Sequence, residues 1–192
     1  MKKLLALITL TSLLGASVAA HAAAEWNDQI VSAIKAGNFN QINIIAASHP
    51  ESQGAIALFL LEQSQEHKNN PELEVKIFNA ATPFVGRIQA ADAGRAGDII
   101  RAELKFANDP GVQKNNPNAA GDIYLAALRM SNQPNVVAYD PTLHSEVLEA
   151  ADDFVKTHPQ DADKKLLEEV SLAEAGGAPE NTPVGVINPS AD

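Results

Sequence analysis

Proline sets the frame of this chain. It stands at positions 50, 71, 117, 141 and 159, and each of these opens a stretch with helical spacing of apolar residues. Inside a helix, proline removes a backbone hydrogen bond and clashes with the preceding turn. At the first helical position its missing N–H costs nothing. These positions therefore divide the chain into short helices. One such start is written twice in nearly the same residues: KNNPELEVKIFNAA from Lys68 and KNNPNAAGDIYLAA from Lys114. An Asn side chain accepts from an unpaired amide of the first turn, so Asn70 and Asn116 read as caps with Pro71 and Pro117 behind them. The match continues inside the helix, pairing Ile77 with Ile123, Phe78 with Tyr124, Ala80 with Ala126 and Ala81 with Ala127. Core positions in one register mark a shared structural unit, a capped helix start used twice.

An apolar spacing near 3.6 predicts helices over 27–36, 40–48, 50–67, 71–82, 87–107, 117–131, 141–157 and 161–175. Ser48 or His49 is placed to cap the helix at Pro50, and Asp140 the one at Pro141. Leu143, Val147, Ala150, Ala151 and Phe154 form one stripe, and Ile99, Ile100, Leu104 and Ala107 another. GAIALFLL, from Gly54 to Leu61, is apolar all round and predicts the most buried helix. Gly37-Asn38 makes a hairpin of the first two helices, because glycine readily takes the left-handed conformation after a helix. VVAY, Val136 to Tyr139, lies between Pro134 and Pro141 and reads as a loop. The expected fold class is all-α, with about eight helices in antiparallel hairpins, stacked as a short α-solenoid or an irregular bundle. The junctions EAADDFVKTHPQDADKKLLEEV and IIAASHPESQGAIALFLLEQ resemble those of tetratricopeptide-type repeats, where one helix ends near a proline and the next begins. The marker residues of that family do not recur at its period of about 34, so the likeness implies helical-repeat character and stops there.

The first residues point to export. Lys2 and Lys3 precede an apolar run from Leu4 to Leu14, and Ala20-His21-Ala22 fits a signal-peptidase site. This is the layout of a secretory signal over 1–22, with cleavage after Ala22 or Ala24. Its apolar run falls short of the roughly 20 residues a bilayer span needs. Residues 23–175 then form a single all-α domain. From 176 to 192 the sequence GGAPENTPVGVINPSAD has little to bury and reads as a disordered tail. The signal pattern suggests a bacterial periplasm or secretion beyond it.

Composition excludes several chemistries. There is no cysteine, so disulfides, thiolate metal sites, cysteine nucleophiles and lipoprotein anchoring are ruled out. Loss of Lys2 and Lys3 with the signal leaves 12 Lys plus Arg against 24 Asp plus Glu, a formal charge of −12. A nucleic-acid surface needs clustered cations to displace counterions, and here they are few and scattered. No nucleic-acid partner is expected, and the mature chain carries no membrane span.

No enzyme motif is present. The histidines after the signal, His49, His67, His144 and His158, include no HExxH and no pair spaced to face one metal on a helix. His49 and His158 precede prolines at helix junctions. Glu51-Ser52 beside Gly54-Ala55 resembles the paired motifs of lytic transglycosylases, but there a long stretch separates them. A glutamate in a first helical turn is favoured by the helix dipole without any catalysis. No GxSxG elbow, phosphate loop or dinucleotide fingerprint occurs. No catalytic, cofactor or metal residues are assigned.

The expected function is therefore an exported, helical-repeat-like binding or adaptor module for a protein or peptide partner. Large aromatics anchor such interfaces, which makes Trp26, Phe39, Phe84 and Tyr139 the candidate partner-binding residues. The alternatives are a periplasmic holdase or stress protein, or a cation-dependent hydrolase around His144, Glu149 and Asp153.

Overall fold

The computed structural model describes residues 26–160 and 162–174. The signal segment over 1–22 and the tail over 176–192 lie outside them. Helices dominate the described residues, which contain no strand. None of these helices is long and apolar enough to cross a membrane. The chain divides into two compact units at Ser52.

In the first unit, α1 (26–35) and α2 (Phe39–Ser48) are followed by a 3-10 turn, Pro50–Ser52. The α1–α2 turn is closed by two backbone bonds: Asn38 N donates to Ala33 O at 2.9 Å, and Gly37 N donates to Ile34 O at 3.0 Å. This is the Schellman arrangement, and it places Gly37 in the left-handed region at φ 66. The expected cap before Pro50 is not made by Ser48. Its hydroxyl turns back and donates to Ile45 O at 2.8 Å, spending its donor on the helix that ends there. The backbone carbonyl of His49 instead accepts from Ser52 N at 2.9 Å.

The second unit contains α3 (Gln53–Glu66), α4 (Pro71–Ala81), a 3-10 segment (Thr82–Arg87), α5 (Ala93–Ala107), α6 (Pro110–Asn115), α7 (Pro117–Ser131), α8 (Pro134–Tyr139), α9 (Leu143–Thr157) and α10 (Lys164–Glu174). Asn70 caps α4 as expected, accepting from Leu73 N at 3.4 Å. Helix α9 starts at Leu143 rather than Pro141, with Thr142 at its cap position. Asp140 reaches it from two residues before, accepting from Thr142 N at 3.1 Å and Leu143 N at 3.2 Å. Asn116 differs from its counterpart Asn70. It makes no side-chain cap bond, because it also ends α6, and its backbone N–H donates to Val112 O at 2.7 Å.

Two short helices stand where none was expected. In α6, Asp109 accepts from Gly111 N at 2.8 Å and Val112 N at 3.2 Å, with Pro110 at the first position. In α8 the residues VVAY, expected as a loop, are helical behind Pro134. Helices this short are unstable alone, since nucleation fixes several residues for a single bond. Tertiary contacts supply the difference, and they are invisible to periodicity. Conversely, the expected helix over 87–107 begins only at Ala93, after Ile88 has taken an extended conformation and buried its side chain.

The most buried helix is α7, not the GAIALFLL helix α3. It packs against α4, α5, α6, α8, α9, α10 and the 3-10 segment. Its buried positions are mostly small, with Ala119, Ala120, Gly121, Ala126 and Ala127 letting neighbours approach on every side. Ile123 and Tyr124 fill the spaces between. This surrounded arrangement is an irregular bundle rather than a solenoid, in which each repeat touches only its neighbours. The two helices with the repeated opening, α4 and α7, pack against each other. Phe78, Tyr124 and Phe154 are fully or almost fully buried, and the Tyr124 and Phe154 rings lie 5.0 Å apart. The Tyr124 hydroxyl donates to Asn108 Oδ1 at 2.6 Å and accepts from Gln113 Nε2 at 3.2 Å, linking α7 to the α5–α6 turn and α6. Burial is the first cause that pushes this phenol up to about 12.

Gly54 lets α3 meet the backbone of the 3-10 segment, because a Cβ there would collide with the Arg87 carbonyl. Gly54→Ala should destabilise the protein by about 1–3 kcal/mol through this overlap. Gly37→Ala has open space around it and should cost only the left-handed penalty, about 1–2 kcal/mol. Urea unfolding of both variants checks the two values.

Candidate functional site

The four candidate aromatics are placed very differently. Trp26 is only 4% exposed and lies in the first unit, so it is packed away rather than offered to a partner. Phe39, the first residue of α2, is half-buried. Phe84, on the 3-10 segment of the second unit, is also half-buried. Tyr139, the last residue of α8, is 62% exposed. The structure brings the elements carrying Phe84 and Tyr139 together, since α8 packs on the 3-10 segment and on α5.

The Tyr139 surface is built from the backbone outward. Asn135, one turn before it, donates through Nδ2 to Val85 O and to Ile88 O, both at 3.0 Å. One amide thus ties α8 to the two ends of the turn leaving the 3-10 segment. Gly86 on that segment lies under the Gln133 side chain. The phenol of Tyr139 rests over Gly94 on α5, where a Cβ would sit 2.5 Å from its Cζ and 2.7 Å from its hydroxyl oxygen. The absence of a side chain at Gly94 is what lets the ring lie there.

The next residue, Asp140, is fixed still more firmly. Arg101 of α5 holds it through Nη1–Oδ2 at 2.6 Å and grips Glu146 of α9 with two bonds, Nε–Oε2 at 3.0 Å and Nη2–Oε1 at 3.2 Å. A guanidinium fork gripping a carboxylate with two bonds gains orientation as well as energy. The Arg101 hydrogen bond is the first cause that lowers the Asp140 carboxyl to about 2. The same guanidinium lowers Glu146. Tyr139 is thus an exposed ring on a backbone held from both sides. Asp98 lies one turn beyond Gly94, on the same face of α5, and is exposed, as is Asp92.

The grouping of His144, Glu149 and Asp153 is not assembled. His144 points from α9 to α7, where its Nδ1 lies 3.0 Å from Ser131 Oγ, and its half-burial lowers its pKa. Asp153 follows His144 by nine residues, which on an α-helix is the opposite side of α9. Glu149 and Asp153 are both exposed. Among the described residues no three His, Asp or Glu side chains are arranged to hold a metal ion. Ser131 is fully buried, so its contact with His144 offers no nucleophile to a substrate. An open cleft of about 320 Å³ lies at the start of α7, lined by Asn118, Gly121, Asp122, Gln160, Ala162 and Asp163. Burial and the nearby Asp163 raise the Asp122 carboxyl there.

Gly94, Asn135 and Arg101 escaped the sequence reading. Arg101 has no local signature, and Gly94 carries no turn signal inside its helix. Asp140 was legible as a cap, but not as a partner of Arg101. No protein-family model matches the chain, nor does any curated protein or solved structure.

Two outcomes follow from this geometry. Trp26→Ala should destabilise the fold by about 3–5 kcal/mol, as for other large buried aromatics, whereas Tyr139→Ala should leave thermal unfolding nearly unchanged. Acid should loosen the Tyr139 surface. A carboxyl held below its ordinary value contributes stability that is present above that value and lost as pH falls through the folded one. For Asp140 this window runs from 3.8 down to about 2. Arg101→Ala should abolish that part of the acid transition, as measured by tyrosine fluorescence against pH.

Proposed function

We propose that this is an exported binding or adaptor module that docks a protein or peptide partner on the α8 face, with Tyr139 as the anchor. The observation that carries this reading is an aromatic ring 62% exposed on an otherwise pinned backbone. Exposed tyrosines fixed in advance supply contact area at small conformational cost, and few residues dominate most interfaces. Phe84 stands on the adjoining element as a secondary contact. The partner is a segment rich in Lys or Arg. Support comes from the exposed Asp92 and Asp98 and from the excess of acidic residues, 24 against 14 basic over the whole sequence. A cation set over a tyrosine face gains further from the ring quadrupole. The signal pattern over 1–22 supports a periplasmic or secreted location.

The test uses the tagged chain expressed with its signal. Sequencing of the exported protein should give Ala23 as the first residue. A photo-crosslinker placed at position 84, beside an intact Tyr139, should capture one dominant partner, and capture should weaken as salt rises. Tyr139→Ala should reduce that capture about tenfold or more, as expected for an interface anchor, with helicity by circular dichroism retained. Gly94→Ala should also reduce capture, because the new methyl displaces the ring, while alanine offsets any strain by favouring the helix over glycine by about 1 kcal/mol. Equal capture by wild type and Tyr139→Ala would exclude this surface.

A further inference from the structure

Glu74 and Glu103 are the two carboxyl groups among the described residues with no exposure to solvent at all. Glu74 lies on α4 and Glu103 on α5, and α3 packs against both helices. On Glu103, Oε1 accepts from Ser64 Oγ at 2.6 Å and from Gln65 Nε2 at 2.5 Å. Its Oε2 has no donor, and neither oxygen of Glu74 has one. An ionised carboxylate in a dry interior without donors costs several kcal/mol or more, and the group takes up a proton instead. Burial, followed by the charge and hydrogen bonding of Glu103, pushes Glu74 up to about 8. A protonated Glu74 has an O–H to offer, and Glu103, the side chain whose charge and hydrogen bonding act on it, is the acceptor.

We infer that Glu74 and Glu103 share one proton in the folded protein and that this proton is a latch joining α4 to α5 across α3. While it is held, one acid donates to one carboxylate and the enclosure carries a single negative charge. When it is lost, two negative charges face each other in the interior and α4 is driven from its neighbours. The groups around the pair oppose this weakly. From α3 come the neutral Ser64 and Gln65, and Lys68 in the α3–α4 turn lowers Glu74 by its charge. The buried polar groups of α7 are engaged elsewhere, Tyr124 with Asn108 and Gln113, and Ser131 with Leu128 and His144. Arg87 on the 3-10 segment is exposed.

The direction with pH follows from proton counting. The unfolded chain releases the Glu74 proton above its ordinary value of 4.5, whereas the folded protein keeps it to about 8. Within that window the native state binds the extra proton, so its stability declines as pH rises and levels off beyond the folded value. The latch is closed in mild acid and opens in mild alkali.

Thermal unfolding of wild type and Glu74→Gln from about pH 5.5 to 8.5 tests this. The amide of Gln mimics the protonated acid, donating to Glu103 without a charge to lose. Wild type should lose about 5 °C or more in Tm across the range, and Glu74→Gln should lose little of it. His144 contributes equally to both proteins and cancels. Hydrogen exchange corrected for intrinsic rate should accelerate about tenfold in α4 of wild type at the alkaline end. Infrared spectroscopy of the unmutated protein gives a second readout: a protonated-acid carbonyl band at neutral pH that disappears in alkali. Parallel pH curves for the two proteins, or absence of that band, would overturn the latch. So would a rise in Tm when calcium is added to wild type but not to Glu74→Gln, which would put a cation in the proton's place.

Discussion

A helix can be enclosed on all sides only if its surface lets neighbours come close. Alanine and glycine along α7 meet that condition, and the bundle from α3 to α10 is arranged around it. Tyr124 and Ile123 occupy the gaps that small residues leave, and Phe78 and Phe154 bring α4 and α9 into the same interior. The cost of enclosing a tyrosine hydroxyl is offset by its bonds to Asn108 and Gln113, which position the α5–α6 turn and α6 as well. At the far end, Arg129 of α7 pairs through Nη2 with the buried Glu169 of α10 at 3.0 Å, fixing the last described helix to the central one. Breaking that pair would strand a charge in the interior, so it specifies how α10 docks.

The Tyr139 surface depends on that interior at one remove. Helix α8 has too few turns to stand alone. It is held by Asn135 to the 3-10 segment, by Val136 in the core and by the Arg101 network at its end. Each attachment is made by a residue other than the tyrosine, which leaves the ring available. That division of labour separates Tyr139 from Trp26, whose burial makes it part of the packing.

Local chemistry was the legible part of this chain. Pro71 and Pro117 at their helix starts, the Asn70 cap, the Asp140 bonds before α9 and the Gly37 turn act within a few residues of themselves and appear in the structure. Pro50 opens only a 3-10 turn, and Pro141 and Pro159 stand in turns, with α9 and α10 beginning at Leu143 and Lys164. The repeated Asn-Asn-Pro was readable as a helix start, though only Asn70 makes the side-chain bond, because Asn116 serves two helices at once. The Asp-Pro pair at Asp109 and Pro110 carried the same signal as Asn-Pro and marks α6. It went unread because six residues are too few to show a period.

From its sequence alone, this chain was bound to be all-α, cysteine-free and broken into short capped helices, since dihedral limits and cap bonds are satisfied locally. Which residues face inward was settled by tertiary structure. Glu103 and Glu74 look like solvent residues in a polar sequence, yet both are fully buried, each on a helix that packs against α3. Trp26 and Tyr139 were equal candidates by composition, and one is buried while the other is exposed. Burial depends on what distant segments place against a side chain, and no short-range signal carries that information.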